Sequence, residues 1–543
     1  MPGTEKPQLR SLAELTEPQT VGDLVELSAR RDPGRVALKM RETGEERTYG
    51  ELDERTTRLA NGLLGLGLEP GDRIATWMED CLEYPELYLA AAKAGLIVAP
   101  VNAHFVTAEA RFLLQNSGAA ALAWTPGIAE RVHGLDPAEL PRVTIGVRGA
   151  EGAHADLEQL VREGAPAPAP AGPDPDDVFI LGYTSGTTGR PKGAMLTHRA
   201  VVAVGRLNNV SYRLSANTVF GLTGSMSFVA VVPAHVLCAI GIGARIVMMG
   251  RYDVPALVAA IERERITFTY VPSPLLSEFA AAAKAEPERL RSLHSAMHSA
   301  SKVDPRILRA VYEAIGDRLI EGWGMTEHSG GLATVTTPDD YLRAAEGDAV
   351  FATVGRAAIG VSIRVIDENG GELPHDGASI GELVLRSPAQ TVGYWDLPEA
   401  TAEALVDGWF RSGDLGTIDA EGYVSVTERR TDLIVSGGMN VYPSEVEHCI
   451  RELEGVRDVG VVGLPHERWG QAVVAAVVRD GEHPTEDEVI DHCRGHLASF
   501  KKPARVVFLP ELPYTPTLKL ARAKLREGLA SGVVREGSGT PLT

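Results

Sequence analysis

Cysteine is scarce in this chain of 543 residues, which carries only four, at Cys81, Cys238, Cys449 and Cys493. They are scattered along the sequence and form no CxxC pair, so we predict neither a disulfide framework nor a zinc cluster. A chain without disulfides suits a reduced compartment. The N-terminal stretch MPGTEKPQLRSLAEL also lacks the apolar segment of a secretory signal. These absences predict a cytoplasmic protein.

Basic residues are also in deficit. The chain has 53 lysines and arginines against 73 aspartates and glutamates, which gives a formal net charge of −20. Proteins that bind nucleic acid usually present a basic face, so we expect no nucleic-acid partner. Among the basic residues arginine far outnumbers lysine, and a lysine at a motif position is therefore informative.

Long uninterrupted apolar stretches are missing as well. The most apolar segment, residues 226–249, is interrupted by Pro233, His235 and Arg245. We therefore predict buried core or the wall of a pocket there, and no membrane span. The overall composition, 44% hydrophobic and 23% charged, is typical of globular proteins. A chain of this length exceeds a single hydrophobic core, so at least two domains are expected.

The order of the local patterns predicts an α/β fold. Over residues 20–150 and 251–320, amphipathic helix patterns alternate with short apolar strand patterns. Such alternation indicates mostly parallel sheets with helices packed on them. Short strands separated by Gly and Asp turns over 350–430 predict a small β-barrel or antiparallel sheet. A compact βαβ-like pattern follows, so we place a domain boundary near residue 430.

One loop carries the strongest chemical signal. The segment YTSGTTGRPKGAML, residues 183–196, follows an apolar run, DVFILG, that is typical of a buried strand. Its Ser, Thr and Gly residues can form a backbone nest for an anion, and the N-terminus of a following helix would add positive potential. Lys192 offers a point charge to phosphate oxygens. A Walker A loop is excluded, because Pro191 stands where that motif requires glycine and Gly193 follows the lysine.

The whole string resembles the phosphate loop of the adenylate-forming superfamily, which includes acyl-CoA synthetases, luciferases and the adenylation domains of peptide synthetases. Four further segments resemble elements of that family and follow its order, so the resemblance covers about residues 20 to 527. These segments are EGWGMTEHSG at 321–330, GWFRSGDLG at 408–416, ERRTDLIVSGGMNVYPSEVE at 428–447 and LPYTPTLKLARAKLRE at 512–527.

The resemblance implies a domain organisation that agrees with the change of pattern near residue 430. A large N-terminal AMP-binding domain of α/β sheets plus the small β-barrel would span residues 1–428. A hinge would occupy 429–433, with Thr431 at its centre. A smaller, mobile α+β C-terminal domain would span 434–543.

The resemblance also implies a binding site for ATP. Trp323 would stack on adenine, because a flat indole offers a π-face. Asp414 would accept hydrogen bonds from the ribose hydroxyls, as a carboxylate can, and Arg429 would contact the ribose. The phosphates would be held by the loop residues Thr184, Ser185, Gly186, Thr187, Thr188, Gly189 and Lys192.

Four residues are implied as catalytic. Thr326 would contact the α-phosphate, and Glu327 would bind Mg²⁺, a hard cation that prefers carboxylate oxygen. Lys519 would neutralise negative charge on the α-phosphate and on the attacking carboxylate oxygen. Lys192 would neutralise negative charge on the outer phosphates. A loop that lines the path of the thiol would consist of Ser436, Gly437, Gly438 and Met439.

The sequence departs from the family pattern at three positions. Leu518 replaces the usual glycine before the adenylation lysine, which restricts the backbone there. Thr431 stands at the hinge position where the family usually has Asp or Lys, and this affects the equilibrium of domain rotation. Phe228 lies near the position of a usual histidine, so an apolar side chain would gate the acyl site.

The acyl pocket is predicted to be apolar and roomy. The residues after Glu327 are small, and Gly330 and Gly331 would leave space for a substrate beside Phe228. No partner for a second substrate charge is evident in the sequence. We therefore expect a bulky apolar carboxylic acid, which could be aliphatic, alicyclic or aromatic, and we disfavour a small acid such as acetate.

These expectations combine into an ATP-dependent acyl-CoA ligase that uses Mg²⁺ and coenzyme A and acts as a monomer or homodimer. It would form acyl-AMP and release pyrophosphate, then transfer the acyl group to the thiol and release AMP. Three alternatives stay open: a ligase that loads a carrier-protein thiol, a non-catalytic acyl or nucleotide binder, and a luciferase-like oxidation of acyl-AMP. Lys501 and Lys502 are candidates for contacting CoA phosphates, or they form an ordinary solvated pair.

Overall fold

The computed structural model gives two compact units. The first consists of Met1–Ile363, Leu385–Arg411 and Gly422–Val424, and the second of Arg364–Val384, Ser412–Glu421 and Ser425–Thr543. The residues described are 19–168, 172–184, 191–299, 303–343, 349–429, 432–436, 439–466, 469–497, 500–515 and 520–531.

Two seven-stranded sheets form the framework of the first unit. Each is parallel except for one antiparallel strand at an edge, which in the first sheet is Glu46–Thr48 and in the second is Lys192–Thr197. In spatial order the first sheet contains Leu319–Glu321, Ser295–His298, Phe268–Tyr270, Val219–Leu222, Arg245–Met248, Val36–Met40 and Glu46–Thr48. The second contains Ala155–Asp156, Val143–Gly146, Ala121–Trp124, Arg73–Trp77, Ile97–Pro100, Val178–Thr184 and Lys192–Thr197.

Helices connect these strands, as the alternating sequence pattern predicts. The helix Tyr49–Gly65 begins at a capping box, in which the Thr48 hydroxyl accepts from the backbone N–H of Glu51 and the Glu51 carboxylate accepts from that of Thr48. The longer helices of the first unit are Val21–Arg31, Tyr49–Gly65, Glu83–Ala94, Thr107–Ser117, His198–Ser211, Val254–Glu264, Leu276–Ala285 and Pro305–Ile315. The shorter ones are Ala129–His133, Leu157–Glu163, Cys238–Gly241, Pro338–Arg343 and Pro398–Ala404.

The apolar segment 226–249 is interior structure, as predicted. It contains a π-helical turn, Val232–Leu237, in which all six residues are buried, and the strand Arg245–Met248. Within the described part of the chain, none of the helices is both long and apolar enough to cross a membrane.

A further sheet of five short strands occupies the region where a small β-barrel is expected. Its hydrophobic positions include Leu383, Leu385 and Phe410, which are almost fully buried. The strands are Ser362–Ile366, Gly381–Arg386, Leu405–Val406, Trp409–Ile418 and Val424–Arg429. The expected antiparallel pairing is present between Leu405–Val406 and Trp409–Ile418.

The C-terminal part of the second unit is an α+β structure. The strands Val456–His466 and Gly470–Arg479 form a long antiparallel pair, whose buried valines and alanines pack beneath the helices. A βαβ crossover runs from Gly470–Arg479 through a helix to the parallel strand Arg505–Phe508. The sheet also includes Ile434–Ser436 and Met439–Val441, and the helices are Pro443–Arg451, Glu486–His496 and Arg522–Ala530.

For three of the buried histidines of the first unit, burial lowers the pKa to about 4. They are His198, His235 and His328. His235 lies among aromatic rings of Tyr212, Phe220 and Tyr270, and its Nδ1 has no hydrogen-bond partner among the described residues. A buried imidazole in such surroundings stays neutral, because its charged form would lose hydration without gaining a partner.

We predict that acid destabilises the first unit through these groups. Between about pH 6.5 and pH 4 the unfolded chain binds protons that the folded chain excludes, so stability falls by about 1.4 kcal/mol per pH unit for each histidine. Replacing His235 by Leu removes one such proton. The pH dependence of the unfolding free energy, measured by denaturant titration from pH 7.5 to pH 4.5, should become shallower by that amount. His133→Gln, at an exposed position, is the matched control, and an equal change in both variants would contradict the prediction.

Candidate active site

The predicted phosphate loop connects two antiparallel strands. Val178–Thr184 pairs with Lys192–Thr197, and Thr184 lies opposite Lys192 in the register. The helix that follows the loop, His198–Ser211, begins only after the chain has paired back along the sheet edge as the strand Lys192–Thr197. Lys192 places a positive charge at the end of this hairpin. Residues 185–190, which include the predicted Ser185, Gly186, Thr187, Thr188 and Gly189, lie outside the described residues.

Glu327 is the centre of a hydrogen-bonded group beside this hairpin. Its Oε1 accepts from the hydroxyl of Tyr394 at 3.0 Å and from that of Thr184 at 3.4 Å. The ammonium of Lys192 lies over the Tyr394 ring, 5.4 Å from its centre. Within the described part of the chain, Oε2 of Glu327 accepts no protein hydrogen bond, so it is available to a hard cation or a polar substrate group. A cation, a carboxylate and two hydroxyls are thus grouped within a few ångströms.

The turn that carries Glu327 is fixed through its backbone and its neighbours. Thr326–His328 forms a single 3₁₀ turn, and the Glu327 carbonyl accepts from Thr391 N–H at 2.7 Å. His328 is buried and neutral; its Nδ1–H donates to the Gly331 carbonyl at 3.2 Å and its Nε2 accepts from the Ser387 hydroxyl at 2.9 Å. These bonds hold the turn on both sides, so Glu327 has little freedom to move.

The segment that provides Tyr394 runs antiparallel to the strand after the loop. Met195 N–H donates to the Gly393 carbonyl at 2.8 Å, and Trp395 N–H donates to the Gly193 carbonyl at 2.8 Å. This backbone pairing explains why Tyr394 reaches Glu327 although 67 residues separate them. Sequence reasoning missed Tyr394; the aromatic pair after Gly393 in a turn-rich region was the available signal.

The small residues near the site bring backbone segments together. Gly182 lies against the methyl groups of Thr326 and Val229, where an added Cβ would come within 2.9 Å of both. A Cβ on Gly330, whose φ is +75°, would collide with the backbone of residue 230. One on Gly331 would collide with Val204 of the helix His198–Ser211. Close packing therefore explains why residues 330 and 331 are glycines. The role of Gly330 and Gly331 beside the acyl substrate stays a prediction.

Phe228 is half-buried and belongs to a turn that is tied to a carboxylate. Asp80 accepts from Met226 N–H at 2.8 Å and from the Ser225 hydroxyl at 3.2 Å. Burial raises the pKa of Asp80 to about 6, although these hydrogen bonds act in the opposite direction. The predicted gating role of Phe228 stays a prediction, and Asp80 is a titratable neighbour that the sequence did not indicate.

Trp323 is 8% exposed and is anchored by its backbone. Its N–H donates to the Thr334 hydroxyl at 3.0 Å, and its carbonyl accepts from Ala333 N–H at 2.7 Å. The residue is therefore held firmly four positions before Glu327. Its predicted stacking on adenine is not tested by these contacts.

A second polar chain was missed by sequence reasoning. The Ser273 hydroxyl lies 2.8 Å from His298 Nε2, and His298 Nδ1 lies 2.6 Å from a carboxylate oxygen of Glu321. Burial raises the pKa of Glu321, while the neighbouring imidazole acts in the opposite direction. The three residues lie at or just beyond the carboxyl ends of three adjacent parallel strands, where functional groups in α/β proteins often meet. The signal available in the sequence was a polar residue at or just after the end of each of these strands.

The remaining predicted residues belong to the second unit. Asp414 is 4% exposed, and its N–H donates to the Ser412 hydroxyl at 3.0 Å. Ser436 is paired with the exposed Met439 across two antiparallel strands. Arg429 ends a strand, and its side chain is not described. Thr431, Gly437, Gly438, Leu518 and Lys519 lie outside the described residues.

The structure describes the chain before and after the segment that contains Lys519, up to Thr515 and again from Leu520 to Ser531. Tyr514 and Leu520 form an antiparallel bridge, and the helix Arg522–Ala530 follows at once. Arg522 donates two hydrogen bonds, at 2.8 and 2.9 Å, to the buried carboxylate of Glu447.

Lys501 is occupied by an ion pair with Glu445, so it is not a simple solvated charge.

Comparison with protein families places the chain in a known class. Residues 25–395 match the AMP-binding enzyme family, and residues 445–519 match the AMP-binding enzyme C-terminal domain. The chain belongs to the AMP-binding family of adenylate-forming enzymes, as the loop and its companion segments predict.

Similar proteins cover nearly the whole chain. A feruloyl-CoA synthase of Amycolatopsis is 34% identical over 92% of this chain and 96% of its own length. The long-chain-fatty-acid–CoA ligase FadD13 of Mycobacterium tuberculosis is 31% identical over 95% and 99%. ScoC of Streptomyces coeruleorubidus, a fatty acid–[acyl-carrier-protein] ligase, is 30% identical over 96% and 97%. Among solved structures, ATP-bound MatB from Rhodopseudomonas palustris superposes with a TM-score of 0.83 at 29% identity, over 94% of this chain and all of that one.

We predict that Tyr394→Phe slows adenylation about 10- to 150-fold, because a hydrogen bond to a charged group contributes about 1.5–3 kcal/mol. The variant keeps the ring beneath Lys192 and loses only the hydroxyl that orients Glu327. The assay is the acid-dependent exchange of pyrophosphate into ATP. Tyr183→Phe is the matched control, since its hydroxyl donates instead to Asn116 at 2.8 Å. Equal exchange rates in the two variants would contradict the role assigned to Tyr394.

Proposed function

We propose that this protein is an AMP-forming acid–thiol ligase that converts a bulky apolar carboxylic acid into its CoA thioester. The observation that carries the proposal is the group formed by Lys192, Thr184, Tyr394 and Glu327 beside the phosphate loop. The family membership of the whole chain supports the same reaction class. The carboxylate would attack the α-phosphate of ATP, which forms acyl-AMP and releases pyrophosphate; the thiol would then attack the acyl carbon and release AMP.

The geometry suits a reaction in which charge builds up on phosphate. A carboxylate is a poor electrophile. In acyl-AMP, one of its oxygens is bonded to the phosphate, so it leaves as part of AMP, which is a good leaving group. Catalysis of such transfers depends mainly on positive charge and hydrogen-bond donors that are positioned beforehand. Lys192 provides positive charge, and Thr326 is held on the same turn as Glu327. Trp323, Asp414 and Arg429 are proposed to bind the adenosine.

Glu327 is the residue proposed to hold Mg²⁺. One of its carboxylate oxygens is fixed by the Tyr394 and Thr184 hydroxyls, and the other has no protein donor among the described residues. A single carboxylate with room for water and phosphate oxygens fits the coordination that Mg²⁺ prefers. When bound, the ion would neutralise phosphate charge. The protein's part is to keep the carboxylate oriented.

Coenzyme A is the proposed thiol. Feruloyl-CoA synthase and FadD13 are named for CoA, whereas ScoC is named for a carrier protein, which is why carrier loading is kept as the second candidate. The segment Ser436–Met439 is proposed to line the path of the thiol after the C-terminal domain rotates about Thr431. We also propose that the enzyme acts in the cytoplasm, which agrees with its four free and buried cysteines. Its state as a monomer or homodimer stays a prediction.

The proposed acid is bulky and apolar. Two of the relatives are named for feruloyl-CoA and for long-chain fatty acids, and the segment 226–249 supplies buried apolar residues next to Phe228. Gly330 and Gly331 are proposed to limit side-chain bulk beside that region. Acetate-sized acids would leave such a pocket largely unfilled.

The two half-reactions separate the proposed role of Lys519 from a general loss of function. Lys519→Ala should reduce pyrophosphate exchange at least about 100-fold, because the variant lacks the charge at the α-phosphate. Exchange is measured with a panel of aliphatic, alicyclic and aromatic acids. Thioester formation from supplied acyl-AMP and CoA should be nearly unchanged.

Lys524→Ala is the matched control, since Lys524 is exposed on the helix that follows. It should keep both half-reactions. Equal loss of both half-reactions in Lys519→Ala would contradict the assignment of this lysine. Acyl-AMP without acyl-CoA from the unmodified protein would favour the carrier-protein acceptor.

A further inference from the structure

A cluster of one thiol and two imidazoles lies in the second unit, between two helices that pack together. Cys449 is on the helix Pro443–Arg451, and His492 and His496 are on the helix Glu486–His496. The sulfur and one nitrogen from each imidazole all lie within 4.8 Å of one another. Residues four apart share a helix face, which explains why both rings are directed to the same place.

Each imidazole has a backbone carbonyl within hydrogen-bond distance of one ring nitrogen. His492 Nε2 lies 3.1 Å from the Cys449 carbonyl, and His496 Nδ1 lies 2.8 Å from the His492 carbonyl. If each of these nitrogens donates its proton to the carbonyl, the other ring nitrogen carries the lone pair that a metal requires. Ligating histidines usually have such a second hydrogen bond, which sets both the tautomer and the ring orientation. A carboxylate oxygen of Glu452 lies 3.9 Å from His492 Nε2 and adds negative potential.

The cluster is buried at its thiol and open to solvent at one imidazole. Cys449 is 5% exposed, whereas His496 is at the surface, so an ion could enter from the His496 side.

We propose that the second unit binds Zn²⁺ through Cys449, His492 and His496. One sulfur and two imidazole ligands suit this borderline-soft ion, which prefers tetrahedral coordination. The three ligand atoms lie within 4.8 Å of one another, and on the exposed His496 side a water molecule would supply the fourth ligand. Binding displaces the thiol proton of Cys449 to solvent. The ion would hold the two helices together. This proposal departs from the expectation of no zinc cluster, which was based on local cysteine spacing, whereas Cys449 and His492 are 43 residues apart.

The first test is spectroscopic and independent of ligase activity. The full chain is stripped with a chelator, kept reduced, and titrated with Co²⁺ as a substitute for Zn²⁺. The expected result is one equivalent bound, with a near-ultraviolet thiolate-to-metal band and the visible bands of a tetrahedral site. Competition with a chromophoric chelator then gives the Zn²⁺ affinity.

Variants identify the ligands. Cys449→Ser should abolish the thiolate band and weaken Zn²⁺ binding more than about 100-fold, which exceeds the effect of losing an outer-shell partner. His496→Gln, at an exposed position, should weaken binding without disturbing the fold. Cys493→Ser and His448→Gln are the controls and should keep the stoichiometry and the band. Failure to bind one equivalent, or a thiolate band that survives Cys449→Ser, would overturn the proposal.

Discussion

The hydrogen bond from the Tyr394 hydroxyl to the Glu327 carboxylate is the interaction on which the candidate site depends. It links the turn Thr326–His328 to the segment that runs beside the strand Lys192–Thr197. The same ring lies under the Lys192 ammonium, so one side chain orients both the anion and the cation of the site. Charge-assisted hydrogen bonds contribute about 1.5–3 kcal/mol, enough to select one orientation of a half-buried carboxylate.

The backbone that carries Glu327 is held in place because the polar atoms around it are hydrogen-bonded. Buried His328 is neutral and bridges the Gly331 carbonyl and the Ser387 hydroxyl, while Thr391 N–H holds the carbonyl of Glu327. Gly182 allows Thr326 to approach the strand before the loop more closely than a Cβ would permit. Preorganisation of this kind lets charged groups act without reorganising during the reaction.

Local sequence patterns were sufficient for the α/β class, the strand before the phosphate loop, the buried segment 226–249 and the family. They succeed because strand and helix periodicity and motif spacing are properties of short segments. Contacts between distant segments were not predictable: Tyr394 with Glu327, Ser387 with His328, and Ser273 with His298 and Glu321 all depend on sheet pairing. The edge strand Lys192–Thr197, which lies between the loop and the following helix, was not predicted for the same reason, since it is specified by its partner Val178–Thr184.

The proposed reaction begins when the substrate carboxylate attacks the α-phosphate of ATP. The most direct test uses an apolar acid labelled with ¹⁸O in both carboxyl oxygens, incubated with the protein, MgATP and CoA, followed by mass spectrometry of the products. An acyl-AMP intermediate predicts one ¹⁸O atom in AMP, one in the thioester and none in pyrophosphate. Unlabelled AMP, or ¹⁸O in pyrophosphate or phosphate, would contradict the account.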